Sequence, residues 1–325
     1  MRWTFSMLAV LSLTAAACDD DTSGTPDAAK ADSAVADGPS KGDTTADGPS
    51  ADGQPAGDAK TVDGPTGSDG PKPAYKAADV LKACVLFGSC IPDDGVNDCL
   101  RDLYESGVEI DTAIPCLAAG TGCAAVKSCL GVWFTVGAPC ALGKHDEVCQ
   151  GATELVSCDD SLAIHVDCAK LFGAGVGCTN GACSGGSCTG TGSSCKGGQV
   201  ADCKNGQEEY EWPPCSVVGL TCDQGDCVGP DEACSAAKCE GDVAAFCVKG
   251  RFKRLDCAAM GPGFSCQTTA NGVACRQATQ CDPASSKWQE SCNGDTLTVC
   301  HAGKTETVDC KALGFTGCGT HGCTP

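Results

Sequence analysis

The spacing of apolar residues divides the chain into four textures. Residues 1–17 form a short, mostly apolar run behind Arg2. Residues 19–73 are Asp, Gly, Pro, Ser, Ala and Thr with almost nothing apolar. Residues 74–135 carry apolar positions at helical spacing. From Cys140 onward, short stretches of apolar and polar alternation are broken by cysteine and glycine. Three helices are predicted in the third stretch: 76–87, 96–104 with Asp94 as its cap and Gly107 as its end, and 123–130. In the fourth, residues 296–309 alternate most clearly around Gly303. Similar patterns surround Gly250 and Gly206, and Asp159-Asp160-Ser161 replaces the turn in the first copy. Alternation around a short glycine turn predicts a β-hairpin.

Cysteine organises both folded stretches. The chain has 31 cysteines in 325 residues and only 5% aromatics. This composition marks a scaffold held by disulfides rather than by a large apolar core, and such bridges persist in an oxidising compartment. Cys84, Cys90, Cys99, Cys116, Cys123 and Cys129 form an even set, predicting a small disulfide-clipped helical domain over 74–135. A second six-cysteine pattern starts at Cys140, Cys188, Cys234 and Cys281, with starts 46 to 48 residues apart. Regular spacing in this range signals an array, here of four modules at 140–183, 188–227, 234–275 and 281–323. Gly151, Gly197, Gly241 and Gly294 each stand two residues after a second cysteine. Only a positive φ or a close backbone approach requires glycine so regularly. The expected fold class is small disulfide-rich: an N-terminal signal and disordered tether, the helical domain, then four tandem modules of one β-hairpin and a glycine-pinned loop each. The spacing does not choose among the disulfide pairings that six cysteines allow.

The net charge of −20 argues against nucleic acid as a partner, which would need clustered Lys and Arg. Much of it lies in 19–73, which holds 12 Asp against 4 Lys and repeats Ala-Asp-Gly-Pro-Ser at 36–40 and 46–50. That segment cannot bury enough surface to offset its chain entropy and is expected to be a disordered tether. Its ends would lie roughly 40 Å apart. Residues 1–17 are too short to span a bilayer and have the proportions of an export signal. The run Leu13-Thr14-Ala15-Ala16-Ala17-Cys18 resembles the bacterial lipobox, which implies lipid on Cys18 and anchoring in the bacterial envelope, at the outer membrane or cell surface. Ala15 stands where that motif carries Leu, and Ala15-Ala16-Ala17 also suits ordinary signal cleavage. Cysteine arithmetic favours the lipid: Cys18 is the odd one, and an unpaired thiol in an oxidising space is a liability.

The cysteine and glycine register of 140–323 resembles tandem cysteine-rich lipoproteins of myxobacterial type. The hairpin core resembles small cysteine-rich chitin-binding modules, whose second-strand aromatic is matched in the second copy by Tyr210 and Trp212. That likeness implies carbohydrate binding by the second copy.

Little catalytic chemistry is legible. His145, His165, His301 and His321 are scattered and read as solvated loop residues. No nucleophile elbow, phosphate loop or His-Glu-x-x-His motif occurs. The nearest cysteines have four residues between them, unlike the Cys-x-x-Cys of a zinc site. Asp223, Asp226, Asp231 and Glu232 lack the periodicity of a calcium loop and read as a hydrated acidic loop. No metal, cofactor or enzymatic activity is expected. Two candidate ligand contacts remain. Tyr210 and Trp212 lie two apart on one predicted strand, so their rings share a face, either as a stacking platform for a sugar or as a shield for a disulfide core. Lys249, Arg251, Lys253 and Arg254 cluster at the hairpin of the third copy, which holds five basic residues against three acidic. They form a cationic tip for an anionic glycan or lipid headgroup, or they pair with the acidic modules beside them.

The leading expectation is a non-enzymatic cell-envelope lipoprotein, held to the membrane by its N-terminal lipid. Its modules would bind or adhere to an extracellular glycan or protein with the benefit of avidity. The rivals are an inhibitor of an extracellular hydrolase, acting through the loop between first and second cysteines, and a purely structural surface stalk. Mass spectrometry of natively expressed protein is expected to show a chain cleaved after Ala17, an acylated Cys18 and no free thiol. A start downstream of Cys18 would remove the anchor.

Overall fold

The helical segment is the centre on which the rest is assembled. The computed structural model describes residues 75–91, 95–108, 110–136, 140, 146–159, 162–211, 213–283, 290–319 and 322–325. The expected signal, Cys18 and the tether lie outside the described residues. α1 (Ala77–Cys90) is buried on most of its circumference, and the Asp79 carboxylate in its first turn accepts the Lys76 amide at 2.9 Å. α2 (Val96–Glu105) buries Val96, Cys99, Leu100, Leu103 and Tyr104, the stripe that a 3.6-residue period produces. Its N-cap residue is Gly95, while the expected cap, Asp94, lies outside the described residues. α3 (Ile114–Ala119), behind a 3₁₀ turn at Asp111–Ala113, was not expected; it is only six residues long and has a proline in its first turn. α4 (Gly122–Leu130) ends at Gly131 in the left-handed conformation. Disulfides Cys84–Cys99, Cys90–Cys123 and Cys116–Cys129 bind α1 to α2, α1 to α4 and α3 to α4. The tail of the segment read as helical is instead a strand, β1 (Val132–Val136).

Each six-cysteine set makes a three-stranded meander followed by a second small hairpin. In the first set the strands are β2 (Glu147–Gln150), β3 (Glu154–Asp159), β4 (Leu162–Asp167), β5 (Gly177–Thr179) and β6 (Ala182–Ser187). In the second they are β7 (Gly192–Lys196), β8 (Gln199–Lys204), β9 (Gln207–Tyr210), β10 (Thr221–Asp223) and β11 (Asp226–Val228). The third has β12 (Lys238–Glu240), β13 (Val243–Val248), β14 (Arg251–Asp256), β15 (Ser265–Thr269) and β16 (Gly272–Arg276). The fourth has β17 (Ser291–Asn293), β18 (Thr296–His301), β19 (Lys304–Asp309), β20 (Gly317–Gly319) and β21 (Gly322–Thr324). The predicted hairpins are present with their turns: Asn205-Gly206, Lys249-Gly250 and Ala302-Gly303 all have positive φ at both positions, the conformation that matches strand twist. The first strand of each meander and the second hairpin replace the single loop that was expected. The repeated glycine after the second cysteine turns the chain between the first two strands, with φ between 58° and 76° in the four sets. A β-carbon there would meet nothing within 4 Å, so the requirement is conformational.

The disulfides close within each set and follow one pattern, first to third, second to fifth and fourth to sixth. They are Cys140–Cys158, Cys149–Cys178 and Cys168–Cys183; Cys188–Cys203, Cys195–Cys222 and Cys215–Cys227; Cys234–Cys247, Cys239–Cys266 and Cys257–Cys275; and Cys281–Cys300, Cys292–Cys318 and Cys310–Cys323. A loop of this length closed by one bridge contributes about 3 kcal/mol. A shared hydrogen bond supports the pattern: the amides of Cys188, Cys234 and Cys281 donate to the carbonyls of the turn glycines Gly206, Gly250 and Gly303.

Bridges alone do not hold the sets. One apolar cluster contains residues of the helical segment and of all four sets. β1 pairs with β4, so the helical segment and the first set share a sheet. β6 pairs with β9, joining the first and second sets in a five-stranded sheet. Thr112 receives the second set, its amide and hydroxyl donating to Val217 and Ser216 carbonyls at 3.2 and 3.0 Å. The third set brings the Phe246 ring against Gly107, where a β-carbon would overlap it. The same set places Lys253 2.9 Å from Asp111. The fourth packs β21 on α1 and β18 on α2. There the amides of Cys300 and Cys323 donate to Asn97 Oδ1 and Ser89 Oγ at 2.9 and 2.8 Å.

The contact most deeply placed between helix and set is Tyr104 with His301, both at most 2% exposed and 2.8 Å apart from hydroxyl to Nε2. Tyr104→Phe leaves a buried imidazole nitrogen unpaired, a cost of about 1–3 kcal/mol. The thermal midpoint is expected to fall by a few degrees with every disulfide intact. An unchanged midpoint would show that the clasp does not hold the fourth set.

Candidate functional site

The two charged clusters singled out in the sequence are each other's partners. Lys249 Nζ lies 3.5 Å from Asp226, and Arg251 Nη1 3.5 Å from Asp223. Arg254 sits among three carboxylates: Asp231 at 3.1 Å, Glu240 at 2.8 Å and Glu232 at 2.5 Å. The acidic loop of the second set and its continuation into the third thus clamp the cationic hairpin. Lys253 is not at a surface tip at all. It is 6% exposed, paired with Asp111, and its ammonium donates to the Val218 carbonyl at 2.8 Å. Asp111 in turn accepts the Tyr75 hydroxyl, while Lys76 donates to Ala259 O at 3.0 Å, so the start of the described chain is fastened to the third set. Among the described residues, each cation of this hairpin has a carboxylate partner, although Lys249 and Arg251 remain half-exposed.

Tyr210 is half-buried at the junction of the first two sets. Its ring lies 5.5 Å from that of Phe172 and against Gly185, so it packs between sets rather than standing free as a platform. Trp212 lies outside the described residues. Trp133 on β1, also half-buried, stacks on His165 at 5.0 Å with Lys127 Nζ 3.7 Å from its ring centre.

Two histidines read as solvated loop residues are buried instead, and both do the same work. His301 Nδ1 lies 3.0 Å from Glu306 and His165 Nδ1 2.7 Å from Glu154. A carboxylate only accepts, so Nδ1 carries the proton in each. In the neutral imidazole Nε2 then accepts from a hydroxyl: Tyr104 for His301, and Thr135, at 2.8 Å, for His165. Each histidine thereby ties a carboxylate of its own set to a hydroxyl of the segment 75–136. For His301 the signal was legible, because Leu297, Val299 and His301 alternate on the buried face of β18. His145 and His321 lie outside the described residues. The Glu306 carboxyl is held down at about 2 by the His301 hydrogen bond, with Lys304 assisting.

Two concavities stand out among the described residues. One, of about 230 Å³, opens between α1 and β19. Ala77, Ala78, Leu81, Val308 and Leu313 form its walls, Lys82 lines it, and His301 and Glu306 lie at its base. The other, of about 490 Å³, is an open bowl beside Phe252, walled by Ala233, Ser235, Ala236 and Ala237. Lys238 and Arg254 stand 4.9 and 5.0 Å from the Phe252 ring, and both are committed to Glu240. Among the described residues no group of three or more His, Cys, Asp or Glu is placed to hold a metal ion. No helix among them is long and apolar enough to cross a membrane. The dense, closed disulfides accord with an extracellular or secreted protein. No protein-family model matches the chain, and neither a curated protein nor a solved structure is significantly similar to it.

Arg254 holds the carboxyls of Glu232 and Glu240 down at about 2 through its hydrogen bonds, with Lys238 adding to the second. Carboxyls lowered in the folded state stabilise it above their ordinary 4.5, and that contribution is lost as pH falls from about 4.5 towards about 2. Denaturant midpoints measured across this window should decline more shallowly in Arg254→Met than in the parent. Parallel declines would mean that the clamp carries no acid-sensitive stability.

Proposed function

We propose that this protein is an exported, lipid-anchored protein of the bacterial cell envelope. Its six-cysteine units are held on the helical segment as a non-enzymatic binding head for an extracellular glycan or protein. The observation that carries this reading is the turn after the second cysteine. Residues 151–153, 197–198, 241–242 and 294 are exposed in the four sets, and a β-carbon added at any of their glycines would meet nothing within 4 Å. The same turn is thus left outside four times, with a different residue before the glycine in each (Gln150, Lys196, Glu240 and Asn293), while the charged clusters and buried histidines are consumed in holding the sets together. Surface that serves no internal purpose and is displayed repeatedly suits recognition. A stalk of the solenoid kind would have each repeat touch only its neighbours. Here every set makes contact with residues 75–136, which favours a head over a spacer.

Because the sets share one core, multivalent binding would need a partner whose sites match a fixed spacing. The test uses the full exported chain, against purified cell-wall glycans and envelope surface proteins. Binding is expected, and the pair Ala152→Arg with Asp242→Arg should weaken it at least tenfold without changing the thermal midpoint. Absence of any envelope ligand, or equal binding by the double variant, overturns the reading.

A further inference from the structure

We propose that the pocket between α1 and β19 is a binding site for a small aliphatic carboxylate, independent of the partner surface just described. Three observations meet there. The walls, Ala77, Ala78, Leu81, Val308 and Leu313, offer only methyl and methylene surface, whose burial drives uptake of an apolar tail. Lys82, one turn along α1 from Ala78, lines the same space. Among the described residues its ammonium makes neither a hydrogen bond nor an ion pair, in contrast to the cations of the third set, which are all committed to carboxylates. The polar side is made by the His301–Glu306 pair, whose polar atoms already serve Tyr104 and Lys304, and by Gln277, whose amide nitrogen donates to the His301 carbonyl at 3.3 Å.

The donors on this side are therefore committed, and Glu306 presents a negative group that repels a second anionic charge. One cation, an apolar wall and a carboxylate at the back together select a ligand with a single negative charge at one end. At about 30 Å³ per water-sized group, a volume of about 230 Å³ holds about eight non-hydrogen atoms. A six-carbon acid fits that count, and so does the C-terminal residue of a peptide with a small side chain. The shared chemistry is a carboxylate on a short aliphatic body.

With four histidines in the chain, the imidazole resonances of the full protein are few enough to follow individually. Titration with hexanoate is expected to move the His301 resonance saturably while that of His165 stays in place. Hexanol should bind at least tenfold more weakly, and hexylamine should leave the resonance unmoved. Lys82→Ala should reduce hexanoate to the level of hexanol, and Lys82→Arg should retain most of the affinity. An N-acetylalanine arm separates the sources: tighter binding than hexanoate assigns the site to a peptide terminus, weaker binding to a free acid. Hexanol binding as well as hexanoate, a Lys82→Ala variant that binds hexanoate unchanged, or His165 and His301 moving together overturns the site. None of these results bears on the exposed turns, so failure here and failure of the binding head are told apart.

Discussion

A six-cysteine set of about 40 residues has too few apolar side chains to close a core of its own, and the arrangement around the helices follows from that shortage. Cross-links reduce the entropy of the unfolded chain, but they do not cover the faces of a meander. Those faces find their cover on α1, α2 and β1. Leu297 and Val299 of the fourth set and Phe246 of the third are fully or almost fully buried because the helical segment contributes to one shared cluster. Apolar burial is non-directional, so it does not by itself fix how a set sits. Direction comes from a few polar contacts, the buried pairs Tyr104 with His301 and Lys253 with Asp111, and the more exposed bonds of Thr112 to Val217 and of Thr135 to His165. Each of the two buried pairs leaves a costly orphan if the set slides, which is how a polar contact of modest net worth enforces position.

The same logic accounts for the charge. A chain at −20 with a cationic hairpin invites the reading that the hairpin meets an external anion. The acidic loop ending the second set lies closer, and the effective concentration of a neighbouring segment exceeds that of any dissolved polymer. Once Arg254 has three carboxylates around it, an external anion would have to displace them. The pairs at Lys249 and Arg251 are half-exposed and contribute little stability. Arg254 is only 15% exposed, and its forked guanidinium holds the segment at Asp231 and Glu232, which leads into the third set, against Glu240 more firmly than a lysine would.

Elements whose signal is periodic were legible in sequence: α1, α2 and α4, and the hairpins around Gly206, Gly250 and Gly303. The cysteine register located the repeats because disulfide closure demands regular spacing. The three-residue strands β10, β12, β17 and β20 were not legible, since so short a run shows no period, and a cysteine in its middle looks the same in a loop. α3 was hidden by its length and its proline. The docking contacts were out of reach for another reason. Tyr104 and His301 are 197 residues apart, and only the fold brings them together. The site candidates suffered most, because a cluster of lysine and arginine looks identical whether its partner is a ligand or a loop 20 residues upstream.

Packing the sets on one shared apolar cluster changes what repetition can achieve. Flexibly strung modules tolerate any spacing of sites on a polymer but lose affinity to the entropy of the linkers. Modules fixed on a common core have already lost that freedom on folding, so a partner with matching geometry gains more and a mismatched one gains nothing.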